Sequence, residues 1–343
     1  MDYTKAIEVA KNVFWVGVTD EKSFFRSNSY LIKGENEAVL IDPGSLVQYE
    51  QIRDKVLSIV PKEQLKYVVC QHQDPDVSSA LYFFVKEGFK FKTIAHSRVS
   101  ALLVFYSKDL DLYNIDYHDF SLEWDNGKKL EFIFTPYFHS PGAFATYEPE
   151  KKLLFSSDIF GAFQKDWNLY ADEHYFDAMK AFNELYVPSS EIANFTIKKF
   201  EQKEINMILP QHGSIIKKEL VKSAMDTLKE MKAGIFLENA TAKIADMETT
   251  SEIPQEMLNE MLDIVAKRAA EVLGKEEAEK IKQEVLNGKP ATSDSIKEFM
   301  MKLREKNRIA SAVVKMPLIN YAMDNADKLK GKIPSLVKEI IYL

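Results

Sequence analysis

The sequence predicts a mixed α/β fold followed by a helical C-terminal region, on three observations. Through the first half, short runs of β-forming residues end in polar loops and give way to helical patterns. Between residues 113 and 160, β-rich runs alternate with turns at Asp125-Asn126-Gly127 and at Glu148 to Lys152, as expected for a second sheet. From Val221 onward the strands are replaced by amphipathic helical patterns that start at Ser, Asp or Pro and stop at Gly. At 343 residues the length prior suggests two domains, here 1–234 and 235–343, and a 46% hydrophobic content suffices for a core.

In chain order, Val13 to Val18, in VFWVGVTD, and Ser29 to Ile32 read as strands, and Ala38 to Gly44 closes a strand into a Pro-Gly turn. Tyr49 to Val60 has helical spacing and stops before Pro61. Tyr67 to Cys70 reads as a buried strand, and VSSALYFFVKEGF from Val77 onward as a helix. KTIAHS gives a strand ending in His96 and RVSALLVFYSKDL a helix. Residues 172 to 204 read as helices and 205 to 210 as a strand.

The stretch Tyr67 to Leu81, YVVCQHQDPDVSSAL, carries the chemistry. His72, Asp74 and Asp76 fall on alternate positions, which in an extended turn project to one side. A polar loop with a capping Asp would look similar. Three further stretches shift the balance to a metal site, because His139 in TPYFHSPG, Asp158 in LLFSSDIFG and His212 in LPQHG each leave an apolar strand in the same way.

The ordered set His72-x-Asp74-x-Asp76, His139, Asp158, His212 resembles the metallo-β-lactamase fold, an αββα sandwich with its ligands at one edge. More narrowly it resembles the diiron domain of the flavodiiron proteins, and VFWVGVTD, NSYLIKGENEAVLIDPG, YEPEKKLLFSSDIFG and LPQHG share that wording over about residues 5 to 225. The resemblance implies two iron ions, one held by His72, Asp74 and His139, the other by Asp76 and His212, with Asp158 bridging. Two positions depart from the family pattern. Asp74 stands where the family has Glu, and Val77 stands where it commonly has His, so the second iron is left with an open position for a small ligand such as O2 or NO. Asp42 is expected to brace the metal loop rather than to ligate.

The remaining histidines have plainer readings. His96 either fills the vacancy left by Val77 or is a polar residue that caps the helix following it or braces the site, while His118 and His174 read as exposed or structural. Phe134, Tyr137, Phe138, Phe144, Tyr147, Phe155, Phe160 and Phe163 gather near the ligand loops as core, with Tyr137 and Tyr147 as candidate hydrogen-bond donors to a bound ligand. The lone cysteine, Cys70, reads as a buried core residue and excludes an internal disulfide framework. The Met-rich face of Met257, Met261, Met300 and Met301 reads as core before it reads as a partner groove.

A formal charge of −7 argues against nucleic-acid and membrane-surface binding, and no leader-like or membrane-length apolar run is present, so a cytoplasmic protein is expected. Flavodiiron proteins continue into a flavodoxin-like domain, whereas ATSDSIKEF reads as a helix start capped by Ser or Asp; no FMN is therefore expected. The resemblance is nearest to the flavin-free, oxygen-binding diiron proteins associated with bacterial chemotaxis. It implies that O2 is held as a stable, peroxo-level adduct for oxygen or iron sensing, with a signalling protein and a homodimer as possible partners. Two enzyme readings stand beside it: an O2 or NO reductase fed by a separate electron donor, and a metallohydrolase of the lactamase fold. The same ligand types also accept manganese or zinc.

Overall fold

The computed structural model describes residues 1–19, 26–234 and 247–341. Asp20 and the expected domain boundary at residue 235 lie outside the described residues. The chain forms two compact units: Met1–Gly161 with Asn168–Glu173 and Glu191–Lys229, and Ala162–Trp167 with His174–Ser190 and Glu230–Leu343.

In the first unit, β1 (Ile7–Ala10), β2 (Val13–Trp15), β3 (Tyr30–Lys33), β4 (Ala38–Ile41), β5 (Leu65–Val69), β6 (Lys92–Ala95) and β7 (Asp111–Asn114) form a sheet in that order. The pairs from β1 to β4 are antiparallel and those from β4 to β7 parallel. Register places Leu31, Leu40 and Val68 side by side on one face and Tyr30, Ile41, Val69 and Ile94 on the other. The first set packs under helices α1 (Tyr49–Ile59), α3 (Leu81–Lys86) and α4 (Ser97–Leu103) through Ile52, Val56, Leu81, Phe84, Val99 and Leu103. Each such side chain contributes roughly 1.5–3 kcal/mol of burial. Val60 adopts extended geometry ahead of Pro61, which ends α1 where the sequence predicts.

The second set faces a second sheet, since the Tyr30 ring meets Phe155 edge-on at 5.5 Å. That sheet runs β13 (Ile216–Lys217), β12 (Met207–Pro210), β11 (Leu153–Ser157), β10 (Phe144–Glu148), β9 (Lys128–Phe134), β8 (Ser121–Trp124). Helix α6 (Ser190–Phe200) lies against the outer side, with the Phe200 ring 6.0 Å from Phe160 and the Lys199 ammonium donating to the Phe134 carbonyl at 2.5 Å. Two sheets with helices outside each give the expected αββα layering. The helix expected after Asp76 differs in detail, because Pro75 fixes its own φ and starts a short helix, α2 (Pro75–Ser78), separate from α3. Asp76 therefore sits in a helical first turn and not in an extended segment.

In the second unit, α5 (Tyr175–Tyr186) joins α8 (Gln255–Leu273), α9 (Lys275–Leu286), α10 (Ser293–Lys306), α11 (Arg308–Val313), α12 (Lys315–Asp324) and α13 (Ser335–Ile341); α7 (Lys218–Glu230) belongs almost wholly to the first unit. Met257, Met261 and Met300 are buried, while Met301 is half exposed. Two details differ from the sequence reading. The cap of α10 is the Thr292 hydroxyl, in a reciprocal box with Ser295, because Thr292 holds the extended geometry a cap needs. The region also contains a short parallel pair, β14 (Thr249–Thr250) with β15 (Ile333–Pro334), too brief to show as periodicity.

One residue ties the two sheets at their far end. Asp125, in the β8–β9 turn, accepts from the amides of Glu35, Asn36 and Glu37 at 2.7, 2.7 and 3.2 Å and from Lys128 at 2.5 Å. Burial opposes its charge, but these donors outweigh burial and hold its pKa at about 2. A depressed carboxylate pKa contributes stability that is present above the unfolded value and is lost as pH falls through the folded one. Asp125→Asn should therefore destabilise the fold by about 2 kcal/mol at neutral pH. Denaturant unfolding at matched metal content should show that gap narrowing below pH 4 towards pH 2.

Candidate metal centre

The residues singled out in the sequence arrive at one place by strand direction. β4, β5 and β6 are parallel, so Asp42, His72 and His96 follow their carboxyl ends at the same edge. β9, β11 and β12 share one direction in the other sheet, which brings His139, Asp158 and His212 out at their ends. The loops are strained where they carry function: Asp42, Tyr137, Ser157 and Phe160 all have positive φ.

Asp158 is the centre of the arrangement. Its Oδ2 lies 2.6 Å from His139 Nε2 and 3.5 Å from His72 Nε2, and its Oδ1 lies 3.7 Å from His212 Nε2. Asp74 Oδ2 stands 3.4 Å from His139 Nε2 and 3.8 Å from His72 Nε2, while Asp76 Oδ2 stands 3.2 Å from His212 Nε2. The six residues thus fall into two groups, with His72, His139 and Asp74 on one side of Asp158 and His212 and Asp76 on the other. His72, Asp158 and His212 are buried, and Asp74, Asp76 and His139 are partly exposed.

The surroundings aim the imidazoles. His212 Nδ1 donates to the Arg26 carbonyl at 2.7 Å, which orients the ring with Nε2 towards Asp76 and Asp158. His72 Nδ1 is 3.0 Å from the Ser157 hydroxyl, and Ser78 donates to the His72 carbonyl at 2.8 Å. Asp158 Oδ1 is buried without a hydrogen-bond donor. A buried carboxylate oxygen without a donor, facing imidazole nitrogens, is what a cation would satisfy, so the donor set fits metal ions. Without a cation the histidines take over part of that role: burial opposes charge on His139, yet Asp158 and the neighbouring carboxylates raise its pKa to about 9.

Sequence reasoning missed the residues that hold these six in place. The Gln71 amide and side chain both donate to Asp42, at 3.0 and 2.8 Å, and Gln71 Oε1 accepts from the Thr146 amide of β10 at 2.9 Å. Asp42 braces the loop as expected; burial raises its pKa to about 6 against these hydrogen bonds. Gln73 donates to Asp74 at 2.9 Å and accepts from Ser140, beside His139, at 2.6 Å. Trp15 donates to Asn28, which donates in turn to the Pro210 and Gly213 carbonyls flanking His212. The only hint in the sequence is that both glutamines flank His72 in QHQDPD.

Other expectations resolve simply. His96 Nδ1 accepts from the Arg98 amide at 3.1 Å and its ring stacks on Phe134 at 4.6 Å, so it caps α4. His118 and His174 are exposed. Tyr147 donates to the Glu204 carbonyl at 2.8 Å, which commits its hydroxyl elsewhere, and Tyr137 is half exposed. Cys70 is buried in the core, and burial pushes its thiol pKa up. No described helix is long and apolar enough to cross a membrane.

Comparison with known proteins identifies the family. An uncharacterized protein of Methanocaldococcus jannaschii is 28% identical over 65% of this chain and 60% of its own length. The flavo-diiron protein FprA2 of Clostridium acetobutylicum is 26% identical over 62% of this chain and 58% of its own length. The chain thus spans about 60% of the length of these relatives. The flavodiiron protein from Giardia intestinalis superposes with a TM-score of 0.63 at 20% identity, over 78% of this chain and 68% of that one. The peroxy diiron species of the chemotaxis sensor ODP superposes with a TM-score of 0.58 at 24% identity, over 68% of this chain and 98% of that one. A family model described as ODP family beta lactamase matches residues 25–213, more than half of the sequence, and the chain belongs to that family.

Proposed function

We propose that this chain binds two iron ions and holds O2 at them as an oxygen-responsive binding protein, without a flavin of its own. The observation that carries the reading is the Asp158 carboxylate, whose two oxygens face separate imidazole groups. His72, Asp74 and His139 would hold one ion, Asp76 and His212 the other, with Asp158 between them. A ferrous pair held there would have two electrons to offer a bound oxygen, short of the four that reduction to water needs. Asp158 would neutralise part of the charge of the ions, the Arg26 and Ser157 contacts fix the imidazoles, and buried Phe138 and Phe160 on the flanking loops contribute apolar surface. Val77, buried and without a donor atom, leaves the Asp76 side with fewer ligands.

The relatives support two directions. The match to the ODP family and the fold shared with a chemotaxis sensor support oxygen binding in signalling; a cytoplasmic setting, a signalling protein partner and a homodimer are part of the proposal. A 31% identical segment of the anaerobic nitric oxide reductase flavorubredoxin of Pectobacterium carotovorum, covering 49% of this chain, supports a reductase fed by a separate donor.

Protein matured with iron should contain about two irons per chain and release no flavin on denaturation, and Asp158→Ala should lose both metals. One zinc and no iron, or released flavin mononucleotide, would overturn the reading.

Anaerobic ferrous protein mixed with oxygen should develop an optical absorption that outlasts by far an enzyme turnover of about 10 per second. Hydrogen exchange over residues 255–341 should differ between the two states, because a signal requires the ligand to favour one conformation. Rapid steady oxygen consumption with a generic reductase and no lasting absorption would establish the reductase instead.

A further inference from the structure

Helix α4 and the turn after it touch both loops that carry the His72 side of the centre. The helix is itself anchored: Ser97 donates to Asp116 through its amide at 2.9 Å and its hydroxyl at 2.6 Å, Ser100 donates to Asn114 of β7 at 2.6 Å, and Val99 and Leu103 are buried in the core. From this fixed base it reaches out twice. At its start, Arg98 donates to the Pro141 carbonyl at 3.3 Å, two residues after His139, and Gly142 lies so close that a Cβ there would stand 2.8 Å from the Val99 side chain. Just past its end, the Tyr106 hydroxyl donates to the Gln73 carbonyl at 2.8 Å. Gln73 is the residue between His72 and Asp74.

The carbonyl that Tyr106 holds belongs to the planar peptide joining Gln73 to Asp74, so fixing it fixes the direction in which the Asp74 backbone sets out. Asp74 receives little orientation from its own helix. It stands at the N-cap of α2, yet its side chain caps no amide; it accepts instead from Gln73 and faces His72 and His139 at 3.8 and 3.4 Å. A short carboxylate gains little reach from side-chain rotation, so its contact with an ion depends on where the backbone sits. The Tyr106 ring packs against the same core cluster as Val99 and Leu103, so the hydroxyl approaches Gln73 from a fixed direction. Burial, followed by the charges of Asp74 and Asp76, pushes its pKa up to about 12, and the hydroxyl keeps the proton it donates.

We propose that Tyr106 is a positioning residue for the metal on the His72 side, holding the Gln73–Asp74 peptide so that Asp74 meets the ion together with His72 and His139. The assignment rests on the two-metal reading above.

The test is an anaerobic titration of the metal-free full chain with ferrous iron alone, followed by Mössbauer spectroscopy to resolve the two iron environments. His212→Ala, which should empty the other side, identifies the signal of the His72-side iron. Tyr106→Phe keeps the ring and removes only the hydroxyl. It should weaken the His72-side iron by about 10-fold, the low end of the loss seen when a group supporting a metal ligand is removed, and alter its quadrupole splitting while the other iron stays as in wild type. Near-ultraviolet circular dichroism establishes that the variant is folded, and melting of the metal-free chain measures any structural cost separately. An unchanged His72-side iron in folded Tyr106→Phe overturns the assignment, whatever the melting temperature does. Equal weakening of both irons overturns it too, because general loosening of the loops would produce that. A wild-type chain that binds only one iron overturns the two-metal reading; Tyr106 keeps its role if that iron is weakened by Tyr106→Phe and loses it if it is not.

Discussion

Everything at this edge of the sandwich depends on a carboxylate buried where no donor satisfies one of its oxygens. Asp158 is 3% exposed, and its charge is compatible with that burial only because imidazoles from three separate loops converge on it. Those imidazoles cannot be fixed by local structure, since His72, His139 and His212 are far apart in the chain. They are fixed by sheet direction, which delivers each strand end to one edge, and by hydrogen bonds behind each ring. Loss of any one of these supports would leave an unpaired charge in a dry place, which costs several kcal/mol.

That dependence explains what could be read in the sequence. The αββα layering was legible because apolar runs, turns and helical spacing are short-range signals. The six candidate donors were legible because His and Asp at strand exits recur in a known order. The bracing was not. Gln71, Gln73, Asn28 and Ser157 are ordinary polar residues whose partners lie as far as 185 positions away, in Asn28 to Gly213, and no local pattern encodes such a pairing. The start of α2 at Pro75 was missed for a different reason: alternate spacing in His72, Asp74 and Asp76 fits an extended strand equally well, and the choice was made by a proline that closes the first turn.

The two sides of Asp158 are built differently, and the difference is physical rather than a matter of count. On the His72 side, Asp74 is held by Gln73, which is itself held by Ser140 at 2.6 Å next to His139, so donor and brace form a closed ring. On the His212 side, Asp76 faces His212 Nε2 at 3.2 Å and otherwise receives long contacts, 3.4 Å from Ser27 and 3.5 Å from Gln211. Hydrogen bonds of that length are weak, so Asp76 is free to move by a few tenths of an ångström at little cost.

A site with one tightly braced half and one loosely braced half answers a ligand asymmetrically. In the proposed centre Val77 is buried and offers no donor atom, and Asp76 beside it can yield. Motion there passes directly into the chain, because Asp76 lies in α2 and the Val77 carbonyl accepts from the Gly44 amide at 2.8 Å, in the loop that follows Asp42. Gly44 has a φ of +87°, a geometry that other residues adopt only with strain, so this loop has one conformation that suits it and limited room to absorb a shift. The loosely held carboxylate and the stiff loop behind it are the two parts that a binding protein needs if occupancy is to be felt beyond the metals.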